Sequence, residues 1–201
     1  MLIAGIDYSL TTPAICVAPY KKTFGFEDCK FHFLTAKKKA SGSFAKGQIN
    51  GKEHRTYKIE EQRYNNISTW ALEILNEVEY VVIEDYSFGS KGRVFHIAEN
   101  TGLLKHQLWR FNKTFSVAAP TTIKKFATGK GNSDKDAMYD AFFKETQFNL
   151  KNVFDQESTA SPVSDLVDSF YMCKYAFNKL SCSKVNGSLH SPCSAVSLSQ
   201  E

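Results

Sequence analysis

Leu2-Ile3-Ala4-Gly5-Ile6-Asp7-Tyr8-Ser9-Leu10-Thr11-Thr12-Pro13-Ala14-Ile15-Cys16-Val17-Ala18 is the stretch on which the reading of the fold turns. Residues 2 to 6 form a short, continuously apolar run, the pattern of a buried strand, and the run ends on a carboxylate, Asp7. The turn signal at Leu10–Pro13 sends the chain back, and Ala14–Ala18 reads as a second strand. A third strand is expected near Lys30–Thr35, and the hairpin-like spacing makes the three antiparallel neighbours.

Downstream, Ile67, Ala71, Ile74, Leu75 and Val78 recur on one face of a helix expected from about Tyr57 to Val78. Tyr80-Val81-Val82-Ile83 is then a short apolar strand that delivers Glu84. A helix from roughly Arg93 to Phe111, a strand at Thr114–Ala118 and a short helix from Pro120 through Phe126 come next. Another helix starts at Ser133-Asp134-Lys135-Asp136, with Ser133 as its cap and Asp136 completing an approximate capping box. The last begins at Ser161-Pro162 and buries Val163, Leu166, Val167, Phe170, Cys173 and Phe177. The fold class is α/β: a mixed five-stranded sheet, three antiparallel strands then two parallel, with flanking helices. The crossover after the third strand places the fourth beside the first, so Asp7 and Glu84 leave the sheet at neighbouring strand ends.

At 201 residues the chain fits one domain, expected over 1–180, with a flexible serine-rich tail at 181–201. Residues 36 to 58 carry seven basic residues (Lys37, Lys38, Lys39, Lys46, Lys52, Arg55, Lys58) against one acid, Glu53, which leaves 18 basic against 20 acidic residues elsewhere. A local excess of this kind suggests contact with a polyanion; a solvated lysine-rich loop is the plainer alternative. Glycines at 42, 47 and 51 make this segment a mobile loop in the sequence reading. No apolar run reaches the ~20 residues of a membrane helix, the N-terminal stretch lacks the basic opening of a signal peptide, and five cysteines form no CxxC pair. A reduced, cytoplasmic protein without membrane contact is expected. Cys182, His190 and Cys193 invite a zinc reading, but three candidate ligands in a serine-rich tail are weak evidence for a site.

Four carboxylates carry the chemistry: Asp7, Glu84, Asp165 and Asp168. Singly, each has a plain explanation as a turn residue, a strand end or a solvated helix face. Jointly they are harder to dismiss. Asp7 and Glu84 each follow an apolar strand directly, and Asp165 and Asp168 lie three apart near the start of the last helix, within ~60° of one another. Carboxylates forced together repel unless cations neutralise them, and hard oxygen donors select Mg²⁺, with Mn²⁺ as a substitute. Two such ions ~3.5–4 Å apart support hydrolysis of a phosphodiester with no nucleophilic side chain. Asp85 points to the other side of an extended strand.

Gly5-Ile6-Asp7-Tyr8-Ser9, Val82-Ile83-Glu84, Thr128-Gly129-Lys130-Gly131-Asn132-Ser133-Asp134-Lys135 and Asp165-Leu166-Val167-Asp168 together resemble the RuvC family of Holliday-junction resolvases, from residue 2 to about 178. The resemblance implies a ribonuclease H-like fold and Mg²⁺-dependent crossover-junction endodeoxyribonuclease activity in DNA recombination and repair. It implies Asp7, Glu84, Asp165 and Asp168 as ligands of two metal ions, with Asp7 shared, and Lys135 beside the scissile phosphate, where a fixed cation offsets developing charge. Gly129 and Gly131 would let backbone approach DNA. An aromatic in the loop after Glu84 would stack on opened bases; Phe88 is the candidate and Tyr86 its competitor. Lys91, Arg93, Lys130 and Lys37, Lys38 and Lys39 are the candidate DNA contacts. A homodimer is implied, with Trp109 and Phe111 as a candidate interface whose plainer reading is core.

Two features depart from the family pattern: a longer basic loop at 36–58 and the serine-rich tail. They fit a divergent, phage-borne member acting in bacterial or infected-host cytoplasm. The nearest competing function is a broader branched-DNA nuclease acting on flaps, forks and three-way junctions. More distantly, Gly5–Thr12 resembles the phosphate-binding hairpin of actin-like ATPases and sugar kinases. Those proteins duplicate the fold, and 201 residues leave no space for a second copy.

Overall fold

The computed structural model describes residues 1–85 and 94–185. Seven strands, β1 (Leu2–Asp7), β2 (Ala14–Pro19), β3 (Lys30–Thr35), β4 (Gly42–Phe44), β5 (Ile49–Glu53), β6 (Val78–Glu84) and β7 (Thr114–Ala118), form one sheet in the order β4-β5-β3-β2-β1-β6-β7. The expected five strands are all present. The two additional ones arise from the 36–58 segment, which is not a loop throughout but extends the sheet. β5 pairs parallel with β3, and β4 pairs antiparallel with β5. Gly-Ser-Phe and Ile-Asn-Gly-Lys-Glu have poor intrinsic strand character, and tertiary burial overrides it: Ile49 and Ala40 are buried in the core. Gly51 admits the Ala40 carbonyl and the Phe33 ring where a Cβ atom would collide with both.

β2 is antiparallel to both β1 and β3, while β6 is parallel to β1 and β7 to β6. β1, β3, β5, β6 and β7 therefore all direct their carboxyl ends to the same edge of the sheet. That edge is where Asp7 and Glu84 stand.

Both faces are covered, which explains the unbroken apolar runs of β1 and β6. Ala4, Ile6, Val81 and Ile83 face α1 (Glu60–Ile74) and α2 (Val94–Arg110). Ile3, Tyr80 and Val82 face the other way, into a layer formed by α4 (Lys135–Thr146) and α6 (Val163–Val185), with α3 (Pro120–Thr128) and the short α5 (Leu150–Val153) at its border. Phenylalanines fill this second layer; Phe142 meets Phe170 edge-on at 5.1 Å, and Phe26 meets Phe148 at 4.7 Å.

The helix expected over 57–78 is shorter, because Val78 already belongs to β6. α6 runs on through Val185, five residues into the expected tail; the rest of that tail lies outside the described residues. Among the described residues no helix is long and apolar enough to cross a membrane.

Candidate active site

Strand parity brings the first two carboxylates together. Asp7 lies two residues beyond Gly5 and Glu84 two beyond Val82, so both side chains emerge on the face that α6 covers. In the parallel pairing of β1 with β6, Ile6 stands opposite Ile83. One step further brings Asp7 level with Glu84. α6 begins above this point and supplies Asp165 and Asp168 from its first turns. Asp7 and Asp165 are buried, while Glu84 and Asp168 are half-buried.

Their ionisation shows how tightly these groups crowd. Burial holds Asp7 well above the usual carboxylate range, and repulsion from Glu84, Asp165 and Asp168 adds to it. Burial and the Asp168 charge push Glu84 up to about 7, against the pull of Lys124. Asp168 also rises to about 7 through burial and the Asp165 charge, with Lys135 and Lys124 opposing. Asp165 is raised by burial, opposed by hydrogen bonding from Ser161 and by Lys135. Its Oδ2 is buried with no hydrogen-bond partner. The carboxylates converge without closing: among the described residues no three acidic, histidine or cysteine side chains form a finished metal cage. An orphaned, buried carboxylate oxygen in a group of mutually repelling carboxylates nevertheless has the donor chemistry that suits a hard divalent cation.

Two lysines face the acids. A cleft of about 210 Å³ is lined by Glu84, Asp168 and Ser164 together with Lys124 and Lys135. Lys135 opens α4, and its Nζ donates to Ser164 Oγ at 3.2 Å, next to Asp165 in sequence. The cap of α4 is Asp134, whose Oδ1 accepts the Ala137 amide at 2.9 Å; it is not Ser133. The Ser133 hydroxyl instead donates to the Lys130 carbonyl at 3.0 Å and lies 2.7 Å from Thr128 Oγ1, closing the loop between α3 and α4. Asp136 forms no capping box, because it accepts the Thr159 hydroxyl at 2.7 Å. Gly129, at φ +82, ends α3 in the left-handed conformation, and Gly131 passes close over the Thr121 carbonyl.

Lys124 was not among the expected site residues. Its signal was positional: Pro120 opens a helix directly after β7, so a residue one turn in stands above the same sheet edge as Glu84.

The other expected residues divide. Phe88, Tyr86, Lys91 and Arg93 lie outside the described residues. Lys130 is exposed in the α3–α4 loop, and Lys37, Lys38 and Lys39 form an exposed turn after β3. Lys37 Nζ donates to the Ser161 carbonyl at 3.4 Å, just ahead of α6. Trp109 and Phe111 are 69% and 59% exposed, so neither is a core residue.

No family model matches the sequence, and no curated protein matches it. Solved structures do resemble it. Thermus thermophilus RuvC superposes with a TM-score of 0.57 at 17% identity, over 90% of this chain and 97% of that one. T. thermophilus RuvC in complex with Holliday junction substrate gives 0.59 at 16%, over 90% and 96%. The yeast mitochondrial Holliday junction resolvase Ydc2 gives 0.53 at 13%, over 91% and 80%. At such identities the likeness is one of fold: the chain shares the mixed-sheet α/β architecture of RuvC.

Proposed function

We propose that this chain is a divalent-metal-dependent endonuclease that resolves four-way DNA junctions. The observation that carries the reading is the convergence of Asp7, Glu84, Asp165 and Asp168 at one sheet edge, with ionisation displaced toward neutrality and one buried oxygen unpartnered. The fold likeness to two Holliday-junction resolvases supports the choice of substrate.

Asp7, Glu84, Asp165 and Asp168 would hold Mg²⁺ or Mn²⁺, two ions per site with Asp7 shared. When bound, such ions supply water activation and charge stabilisation at a phosphodiester. The side chains do the rest. Ser164 fixes the Lys135 ammonium at the cleft mouth, where a preorganised cation offsets charge building on the phosphate. Lys124, on the cleft's other helix, faces the same space. No serine, threonine or cysteine nucleophile is required.

One domain carries one such site, and a four-way junction has two equivalent strands to cut. A two-fold dimer matches that symmetry. α2 offers the surface: Phe95 is 82% exposed and Trp109 69% exposed on one stripe, with open space over Gly102 between them. The spacing i, i+7, i+14 is that of a helix-pairing seam. The buried thiols Cys16, Cys29 and Cys173 are free and suit a reducing cytoplasm.

Labelled four-way, three-way, flap and linear duplex DNA, each with Mg²⁺ and with EDTA, tests the reading. Cutting of the four-way form alone, abolished by EDTA, is expected. Equal cutting of flaps and three-way forms would favour a general debranching nuclease, and cutting in EDTA would remove the metal from the account.

A further inference from the structure

The 36–58 segment does more than lengthen the sheet. β3 and β5 run parallel to β1, so the residues just past each of them emerge at the edge that holds Asp7. Lys37, Lys38 and Lys39 come directly after β3, two strands from β1. Arg55 and Lys58 come after β5, three strands away. At ~4.8 Å per strand the ends of β3 and β5 stand roughly 10–14 Å from Asp7 along the edge. Lys46, in the turn joining β4 to β5, lies at the opposite edge.

This ledge is anchored. The Ala40 carbonyl seats over Gly51, where no side chain could fit. A His54 ring nitrogen lies 2.7 Å from the Thr11 carbonyl oxygen, in the turn just past Asp7. Arg63 of α1 donates to the Leu10 carbonyl of the same turn at 3.0 Å. Lys37 reaches the Ser161 carbonyl on the other side of the site. Arg55 and Lys52 are within 3.4 and 3.8 Å of Glu73, which compensates part of their charge. Lys38, Lys39 and Lys58 are exposed and have no acidic partner among the described residues.

We propose that the Lys37–Lys39 turn and the segment from Arg55 to Lys58 form a phosphate-binding ledge for the DNA duplex arm that leaves the cut site, engaging it about three to four base pairs away at 3.4 Å per pair. The inference rests on the junction-nuclease reading above. The carboxylates then lie between two cationic walls, this ledge and the Lys124–Lys135 side of the cleft. A solvated charge run would be indifferent to position, whereas here Lys37, Lys38 and Lys39 follow β3 directly at the active-site edge, Lys46 lies at the opposite edge, and Lys52 and Arg55 lean toward Glu73 late in α1.

The test measures affinity for a four-way junction in EDTA across a salt series, using wild type, a Lys38→Glu/Lys39→Glu/Lys58→Glu triple variant, and Lys46→Glu. A second junction carries uncharged methylphosphonates three to four base pairs from the nick that wild type makes in Mg²⁺. The triple variant is expected to bind roughly 10–100-fold more weakly, with a salt slope reduced by about 2–3, and Lys46→Glu to bind as wild type does. The methylphosphonates are expected to weaken wild type and leave the triple variant unchanged. Equal losses in Lys46→Glu and the triple variant, or equal sensitivity of wild type and triple variant to the methylphosphonates, overturn the ledge while leaving the nuclease reading intact. A wild type that binds no junction overturns both.

Discussion

Gly5 and Cys173 meet backbone to backbone: a Cβ atom added at Gly5 would overlap the Cys173 amide nitrogen and stand 2.6 Å from the Ser169 carbonyl oxygen. α6 therefore crosses β1 with no side chain between them. Asp165 and Asp168 lie about two and one and a half helical turns before Cys173, so the same close crossing lowers them onto Asp7. Gly5→Ala must lift the helix or bend the strand. The expected cost is about 2–3 kcal/mol, a fall of roughly 5–10 °C in Tm, together with loss of cleavage. Thermal unfolding and a junction-cleavage assay check this; a variant with wild-type Tm and wild-type cutting contradicts the tight crossing.

Asp7→Asn, Glu84→Gln and Asp168→Asn are each expected to abolish cutting while junction affinity stays within a few-fold of wild type. Asp165→Asn is expected to be severely impaired. Phosphate affinity comes mainly from cations, whereas these groups are the proposed metal ligands. Single-turnover cleavage beside binding in EDTA separates the two roles. Near wild-type cutting by any of the four removes that residue from the ligand set.

The crowded acids also make a stability prediction. Glu84 and Asp168 have folded-state values near 7, above those of an unfolded chain. The folded state thus binds more protons, and its stability from these groups is full below about pH 4 and is lost as pH climbs through 7. Metal-free protein is expected to melt lower at pH 8 than at pH 5.5, and Mg²⁺ or Mn²⁺ to restore more at pH 8. Glu84→Gln relieves the repulsion and is expected to raise the metal-free Tm at pH 8 by roughly 3–6 °C, a gain on the order of 1–2 kcal/mol after solvent screening. Calorimetry at both pH values decides it; a lower Tm for Glu84→Gln at pH 8 contradicts the repulsion.

Lys135→Ala and Lys124→Ala are expected to slow cutting of bound DNA by roughly 10²-fold each, with little change in affinity, because a fixed cation at the reacting phosphate acts mostly on the transition state. Ser164→Ala, which frees the Lys135 ammonium, is expected to fall between. Losses that appear equally in binding and in cutting would make both lysines general phosphate contacts.

Much of this site was legible because strands announce their parity. Apolar runs ending at Asp7 and Glu84, two residues past Gly5 and Val82, place both acids on one face, and the three-residue spacing of Asp165 and Asp168 places the second pair. What was hidden depended on contacts far apart in sequence. β4 and β5 carry glycine, serine and asparagine, and only burial of Ile49 and close approach at Gly51 hold them in the sheet. Ser133 and Asp134 are both good caps by type; Thr128 engages the first and leaves the second for α4. Lys124 joins the acids through the path of α3, which no local pattern in the helix itself reveals.

Two copies of this site are expected to cut a four-way junction at equivalent phosphates. The direct measurement labels the two opposite strands of one junction separately and maps both nicks after a single binding event in Mg²⁺. Wild type is expected to give paired nicks at symmetry-related positions, and Trp109→Glu, which charges the exposed face of α2, to give mainly single nicks. Single, unpaired nicks from wild type, made by a protein that sediments as a monomer on the junction, would contradict the account.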